Sequence, residues 1–289
     1  MSLNDANNFG AIKVQEFISE VFPEHSGRDW SDLTEIAKLT ALRQEKNGQF
    51  YISNFWRGPM LYSLVRAIKP RRILELGTGR GYGAFCMAKA MEDGGIDGKL
   101  FTVDRTPSNK AYDWAYVDAS GENTIENISL DQFWKRHLPE SLNARIEFKQ
   151  GDTAASHELL SNEKEAVDLV FIDSDHTYNG VTLDFFSTHS IAASNAVFVF
   201  DDYSAARGYG IRKLINEELS DFYSLKVIDM ELTEAHDIAV DHMMAVCNVE
   251  ATEVNAEFTS PSDLRFKYLL ARRWLRSQAI SLVRLLRRR

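Results

Sequence analysis

The segment Ile73-Leu74-Glu75-Leu76-Gly77-Thr78-Gly79-Arg80-Gly81-Tyr82-Gly83 constrains this chain more than any other. It reads as a buried strand, a glycine-rich turn and the start of a helix. Glycine is needed where the backbone takes a positive φ or approaches a ligand closely, and the helix start beyond it offers unpaired N–H groups. Many nucleotide sites share this geometry, so the spacing has to be examined. Counted from Gly77, a dinucleotide fingerprint requires glycine at 82, where Tyr82 stands. A shifted reading, Gly79-x-Gly81-x-x-Ala84, satisfies the looser pattern but starts two residues late. Glu75 lies just before the loop, where a carboxylate repels a pyrophosphate but suits a cation or a water shell. The expected ligand is positively charged or lacks phosphate.

The surrounding sequence has the rhythm of an α/β protein. Runs rich in β-branched and aromatic residues occur at Arg72–Leu76, Leu100–Val103, Arg145–Phe148, Val167–Ile172 and Ala196–Phe200. They are apolar on consecutive positions, as strands covered on both faces must be. Helix-length segments, Ala84–Met91, Leu130–Leu138, Ala154–Ser161 and Val181–Ala192, separate most of them, which predicts a parallel sheet with helices on both sides. Between Ser224–Glu231 and Asp241–Val249 only a turn-like stretch, Thr233–Asp237, remains, so these two strands should pair antiparallel. Upstream, residues 12–69 show helical periodicity at Ile12–Phe22, Leu33–Leu42 and Met60–Ile68, stopped by Pro70. The expected fold is a doubly wound, mostly parallel, seven-stranded Rossmann-like α/β sheet ending in an antiparallel hairpin. Three parts follow: a helical cap over residues 1–69, the α/β domain over 70–250, and a linker with a basic helix over 251–289.

Charge narrows the partners. The 289 residues carry a net −9, yet residues 263–289 hold nine basic side chains against one acid. The other 262 residues therefore hold 24 basic and 41 acidic side chains. So acidic a body argues against nucleic acid as partner, because phosphates are repelled over most of its surface. Cys86 and Cys247 sit in apolar stretches and read as buried small hydrophobes rather than a disulfide, which suits a reducing compartment. Residues 1–10 show no basic-then-apolar leader, and no apolar run approaches the roughly 18 residues of a membrane span. The expected location is cytoplasmic, with the inner face of a membrane as an additional place.

With these residues in view, the chain resembles the class I S-adenosylmethionine-dependent methyltransferases. Their first motif, an apolar strand ending in an acid followed by x-Gly-x-Gly-x-Gly, is matched by Glu75, Gly77, Gly79 and Gly81, with Thr78 inside the loop. The resemblance implies that this loop lies under the methionine part of the cofactor. It also implies that Asp104, at the end of Phe101-Thr102-Val103-Asp104, binds both ribose hydroxyls, which a carboxylate can do by accepting two protons. Asp152 in Gly151-Asp152 matches the position that bonds the adenine amino group. The resemblance covers about residues 70–249.

A second constellation lies at the ends of the fourth and fifth parallel strands, Asp173-Ser174-Asp175-His176-Thr177-Tyr178 and Asp201-Asp202-Tyr203. Parallel strands open their carboxyl ends onto one crevice, so Asp173 should face Asp201 and Asp202. Carboxylates so close repel one another, and a divalent cation relieves this; an all-oxygen set favours Mg²⁺. The pattern is similar to the metal-dependent small-molecule O-methyltransferases, and more to their antibiotic-sugar branch, with Asp in place of Asn, than to the catechol-type one. The resemblance implies a metal that chelates two substrate hydroxyls and lowers the pKa of one. It places His176 where catechol-type enzymes carry a lysine base, while a structural histidine remains the other reading. The implied acceptor is a hydroxyl of a small molecule or sugar. Metal-independent transfer to oxygen or nitrogen, and a cofactor-binding scaffold without turnover, are the alternatives.

Two regions match nothing specific. Residues 105–144 form a long link whose Tyr112, Trp114, Tyr116, Phe133 and Trp134 either wall a substrate pocket or pack as a small subdomain. Tyr51, Phe55, Trp56 and Arg57 are expected to share in substrate choice, and Asp184 in packing and solvation. In the tail, Leu264, Tyr268, Ala271, Leu275, Ala279, Leu282 and Leu286 share one helical stripe opposite a basic face that includes Arg265, Arg272 and Arg276. Such a helix serves as a peripheral membrane contact, as a homo-oligomer contact, or as a segment docked on the acidic body.

Overall fold

The computed structural model describes residues 10–163, 165–204, 210–220, 223–231, 242–248 and Ala271. The basic stripe of the tail, and the turn expected at 233–237, lie outside the described residues.

In chain order the elements begin with a two-residue strand β1 (Ile12–Lys13) and helices α1 (Val14–Val21) and α2 (Ser31–Thr40). A short hairpin, β2 (Leu42–Gln44) and β3 (Phe50–Ile52), precedes α3 (Arg57–Ile68). The alternating part runs β4 (Arg72–Leu76), α4 (Tyr82–Asp93), β5 (Lys99–Asp104), then the hairpin β6 (Ala111–Val117) and β7 (Asn123–Ser129). It continues with α5 (Leu130–His137), α6 (Glu140–Asn143), β8 (Ile146–Gln150), α7 (Ser156–Leu159), β9 (Val167–Ile172), α8 (Tyr178–His189) and β10 (Ala192–Phe200). A short α9 (Ile211–Leu214) leads to β11 (Ser224–Asp229) and β12 (Met243–Asn248).

The main sheet has the order β1-β11-β12-β10-β9-β4-β5-β8. Its strands β8, β5, β4, β9 and β10 are parallel neighbours, and β12 runs antiparallel to both β10 and β11. This is the expected seven-stranded arrangement, widened by β1, which pairs parallel with β11 through Ile12 and Lys13. The strands are apolar on successive positions because each face has its own core. Ile73, Leu100, Leu169, Phe171 and Val199 pack on the side of α3 and α4, whereas Leu74, Phe101, Val170, Ile172 and Phe198 pack on the side of α8. Each such large side chain removed from water contributes roughly 1.5–3 kcal/mol.

Three expectations are revised. The segment 12–69 is not helical throughout, since β2 and β3 form a hairpin between α2 and α3 around a turn at Gly48. The link over 105–144 holds a β6–β7 hairpin that periodicity did not reveal. Trp114 in β6 stacks on Phe133 in α5 at 4.0 Å, and both are fully buried, so these aromatics pack as core. Asp184 is not solvated at all: it is buried on α8 and accepts a hydrogen bond from the Ser174 hydroxyl. Burial pushes its carboxyl up to about 7. Cys86 and Cys247 are buried free thiols, as expected. Among the described residues no helix is long and apolar enough to cross a membrane.

Candidate active site

The carboxyl ends of β4, β5 and β9 open onto a cavity of about 660 Å³. Gly77, Gly79, Asp104 and Thr153 line one end, and Asp173 and His176 the other. A smaller cavity of about 340 Å³ shares Gly79 and Asp104 and is lined by Thr78, Tyr112 and Phe148 as well.

The glycine loop is built as its residue types require. Gly77 has φ +94°, and a Cβ there would lie 1.9 Å from the carbonyl oxygen of Asp173. The loop is thereby pressed against the end of β9, an approach no other residue permits. Gly79 also has a positive φ, but a Cβ there would meet nothing within 4 Å. Its backbone borders open space, the setting for a ligand that lies directly on the chain. The Gly79 N–H points to Asp104 Oδ2 at 3.3 Å, and the Thr106 N–H donates to Asp104 Oδ1 at 2.8 Å. The carboxylate is thus fixed at the tip of β5 facing both cavities.

Other expected cofactor residues lie further back. Glu75 is only 1% exposed and is absent from the cavity lining, a correction to its expected role as host for a cation or a water shell. It accepts a hydrogen bond from Thr102 Oγ1 at 2.6 Å, and Thr102 in turn meets Thr78 Oγ1 at 2.6 Å. Burial raises its pKa to about 8. Glu75 therefore braces the loop from beneath. Gly81, with positive φ, packs against the Trp134 ring. Asp152 caps the turn after β8 through the Ala154 N–H at 3.1 Å and lies 3.4 Å from Arg105, while its neighbour Thr153 lines the cavity.

At the opposite end the three aspartates are near one another but differently engaged. Arg57, the first residue of α3, reaches across to donate through Nη1 to Asp173 Oδ2 at 2.7 Å and through Nη2 to Asp201 Oδ2. The side chains of Arg57, Asp173 and Asp201 are 16%, 20% and 1% exposed. His242, just before β12, sits 3.1 Å from Asp201 Oδ1 and 3.8 Å from Asp202 Oδ1. His176 Nδ1 is 3.1 Å from Asp202 Oδ2. Asp202 itself has φ +53°, a left-handed conformation that aspartate tolerates better than most residues.

The electrostatics follow from this crowding. Burial and the facing carboxylates push the Asp173 carboxyl well up, against the pull of Arg57. Burial acts on Asp201 in the same sense, but Arg57 and His242 outweigh it and hold that carboxyl below the usual range. Burial, then Asp201, raise Asp202. For Arg57, burial opposes the charge while Asp173, Asp201 and Asp202 more than restore it.

This arrangement does not fit the expected magnesium site. One oxygen of Asp173 and one of Asp201 are paired to the same guanidinium. The donor sets that do converge are Asp173–His176–Asp202 and Asp201–Asp202–His242, each with an imidazole in place of the third carboxylate. Mg²⁺ prefers an octahedral oxygen shell. A dication roughly 4 Å from a guanidinium would also meet about 8 kcal/mol of repulsion at an effective dielectric of 20. The pairing with Arg57 and the two imidazoles set this cluster apart from the all-carboxylate magnesium triad expected of Asp173, Asp201 and Asp202.

Sequence reasoning missed the position of Arg57, assigned only to substrate choice, and missed His242 altogether. Nothing local marks Arg57, which stands 116 residues before Asp173. A signal existed for His242. A strand antiparallel to β10 begins where β10 ends, so the residue before it must lie beside Asp201 and Asp202.

Comparison with known proteins agrees with the fold. Residues 74–203 match the family described as "Methyltransferase domain". Among solved structures, the chain is similar to the O-methyltransferase TomG from Streptomyces achromogenes, solved in complex with SAM. The TM-score is 0.52 at 18% identity, covering 83% of this chain and 100% of that one. It is also similar to cofactor-bound Rv0187 from MTB, with a TM-score of 0.50 at 18% identity, covering 82% and 95%. A curated relative, "Uncharacterized protein y4gI" of Sinorhizobium fredii (strain NBRC 101917 / NGR234), is 27% identical over 155 residues. These are 53% of this chain and 16% of that protein, so the chain spans only a small part of that relative's length. The fold and the glycine loop agree with the methyltransferase-domain match over residues 74–203.

Proposed function

We propose that the chain moves a methyl group from S-adenosylmethionine to a hydroxyl of a small molecule or sugar, with His176 as the proton acceptor. The observation that carries this reading is a single cavity lined by the glycine loop, Asp104 and His176, with Asp202 behind His176 at 3.1 Å.

The residues present suit the cofactor. Gly79 leaves open the space its side chain would fill, Asp104 offers a carboxylate to two hydroxyls, and the acidic walls favour a sulfonium over a phosphate. When bound, the cofactor supplies a methyl carbon that the acceptor oxygen attacks in line, the C–S electron pair staying on sulfur. The protein's part is placement and proton transfer. Asp202 accepts the Nδ1–H of His176, which sets the tautomer with its lone pair on Nε2. Nε2 then takes the proton that the hydroxyl loses as its new O–C bond forms. Holding acceptor and base in one cavity converts the encounter into an oriented, effectively unimolecular step. The Asp202 backbone, held in a left-handed conformation between two histidines, is the local strain expected of such a group. No step of this mechanism passes through a metal.

Calorimetric titration with S-adenosylhomocysteine, with NADH as control ligand, tests the reading. We expect binding of the first and none of the second. Binding of NADH alone would sink the proposal. Given a bound cofactor product, a screen of hydroxylated acceptors should yield methyl transfer that His176→Ala slows strongly and Asp202→Asn weakens.

A further inference from the structure

We propose that Arg57 is the resident cation of this site, doing for Asp173 and Asp201 what a magnesium ion was expected to do, so that methyl transfer here needs no metal. The inference rests on reading the cavity as a methyl-transfer site.

Geometry carries it. The tips of β9 and β10 bring two buried carboxylates together, a juxtaposition that needs a positive charge between them. A guanidinium is a planar fork whose two Nη groups suit one oxygen from each of two carboxylates. Arg57 is used in that way, one Nη on each aspartate. Its Nε is buried without a hydrogen-bond partner, so its side-chain hydrogen bonds go to the two carboxylates, with the guanidinium over the Phe171 ring. Position N1 of α3 suits the task, since the N-terminal cap aims the side chain across the crevice while the helix behind it is anchored on α4.

Arg57 is a positioning residue, and the charges it holds form a continuous chain. From its guanidinium the line runs to Asp201, from Asp201 to His242 at 3.1 Å, from His242 to Asp202 at 3.8 Å, and from Asp202 to His176 at 3.1 Å. The anchor at one end is thus connected through His242 to the aspartate that orients the base at the other. A second branch, Arg57 to Asp173, sets the one member of the aspartate trio that lines the cavity. A hard dication entering this cluster would have to displace the guanidinium or share the oxygens with it.

Mn²⁺, which substitutes for Mg²⁺ and is visible by electron paramagnetic resonance, is the probe. It should be titrated into the full chain, wild type and variant, each saturated with S-adenosylhomocysteine. We expect the wild type and Arg57→Lys to leave Mn²⁺ free, the lysine supplying the same charge. Arg57→Ala, or Arg57→Gln if alanine fails to fold, uncovers the carboxylates and should bind Mn²⁺ at least about tenfold more tightly. One-to-one Mn²⁺ binding by the wild type, lost in Asp202→Asn, would overturn the proposal. So would the lack of Mn²⁺ binding by any form, since the cluster would then not be one that a metal could have filled. Failure of the methyltransferase reading shows separately, as loss of S-adenosylhomocysteine binding by the wild type.

Discussion

The two ends of the cavity are built in opposite ways. The cofactor end comes from a continuous stretch, residues 77–80, closed by Asp104 on the neighbouring strand. The other end is assembled from residues far apart: Arg57 from a helix before the sheet begins, Asp173 and Asp201 from β9 and β10, and His242 from the approach to β12. Backbone conformation dominates the first end, and charge balance the second. Where the backbone is pressed against a neighbour, as at Gly77, no added atom is tolerated, whereas a site made of charge tolerates replacement by a group of the same sign. That difference explains how an arginine can stand where an ion was expected.

Gly77 joins the two ends, and its replacement should have the largest effect. In Gly77→Ala the new methyl would overlap the Asp173 carbonyl in a backbone conformation alanine resists. We expect more than about 3 kcal/mol of lost stability and no detectable S-adenosylhomocysteine binding, read by thermal melting and calorimetry. Intact binding would show that the loop and β9 can move apart, so that the two ends are independent.

Next comes the base. His176→Ala should lower turnover by about 10²–10⁴-fold with cofactor binding unchanged, a split that belongs to the charged end alone. A parallel loss of cofactor affinity would blur the division. The reverse split is expected of Asp104→Ala, which should weaken S-adenosylhomocysteine by about 10–100-fold, the worth of hydrogen bonds to a charged group.

The last effect is a pH dependence. Glu75 has a folded pKa of about 8, above the value it has in an unfolded chain. The folded state then holds its proton more tightly, so this contribution is complete below about pH 4.5 and is lost as the pH rises through 8. Glu75→Gln should flatten that decline, with a gain on the order of a few kcal/mol at most at alkaline pH. An unchanged stability profile between pH 5 and 9 would mean that Glu75 faces water, returning it to the cavity side of the loop.

Much of the architecture was readable before any coordinates. Consecutive apolar runs identified the five central strands, because a strand covered on both faces cannot alternate. The absence of room for a crossover between 231 and 241 identified the antiparallel pair. The β6–β7 hairpin was not readable, since Asn123–Ser129 is polar at most positions and carries no strand-like apolar run to pair with Ala111–Val117. The aspartates at the strand ends were legible because topology alone sends every parallel strand's carboxyl end to one edge. What they would bind was not.

The sequence by itself therefore determined the cofactor end: a strand, three glycines with positive φ and an acid on the next strand are local facts, encoded in residues that are neighbours in the chain or in the sheet. Tertiary structure alone decided the other end. Which cation balances Asp173 and Asp201 depends on how α3 packs against the sheet, and Coulomb interactions act through space between residues 116 and 144 positions apart.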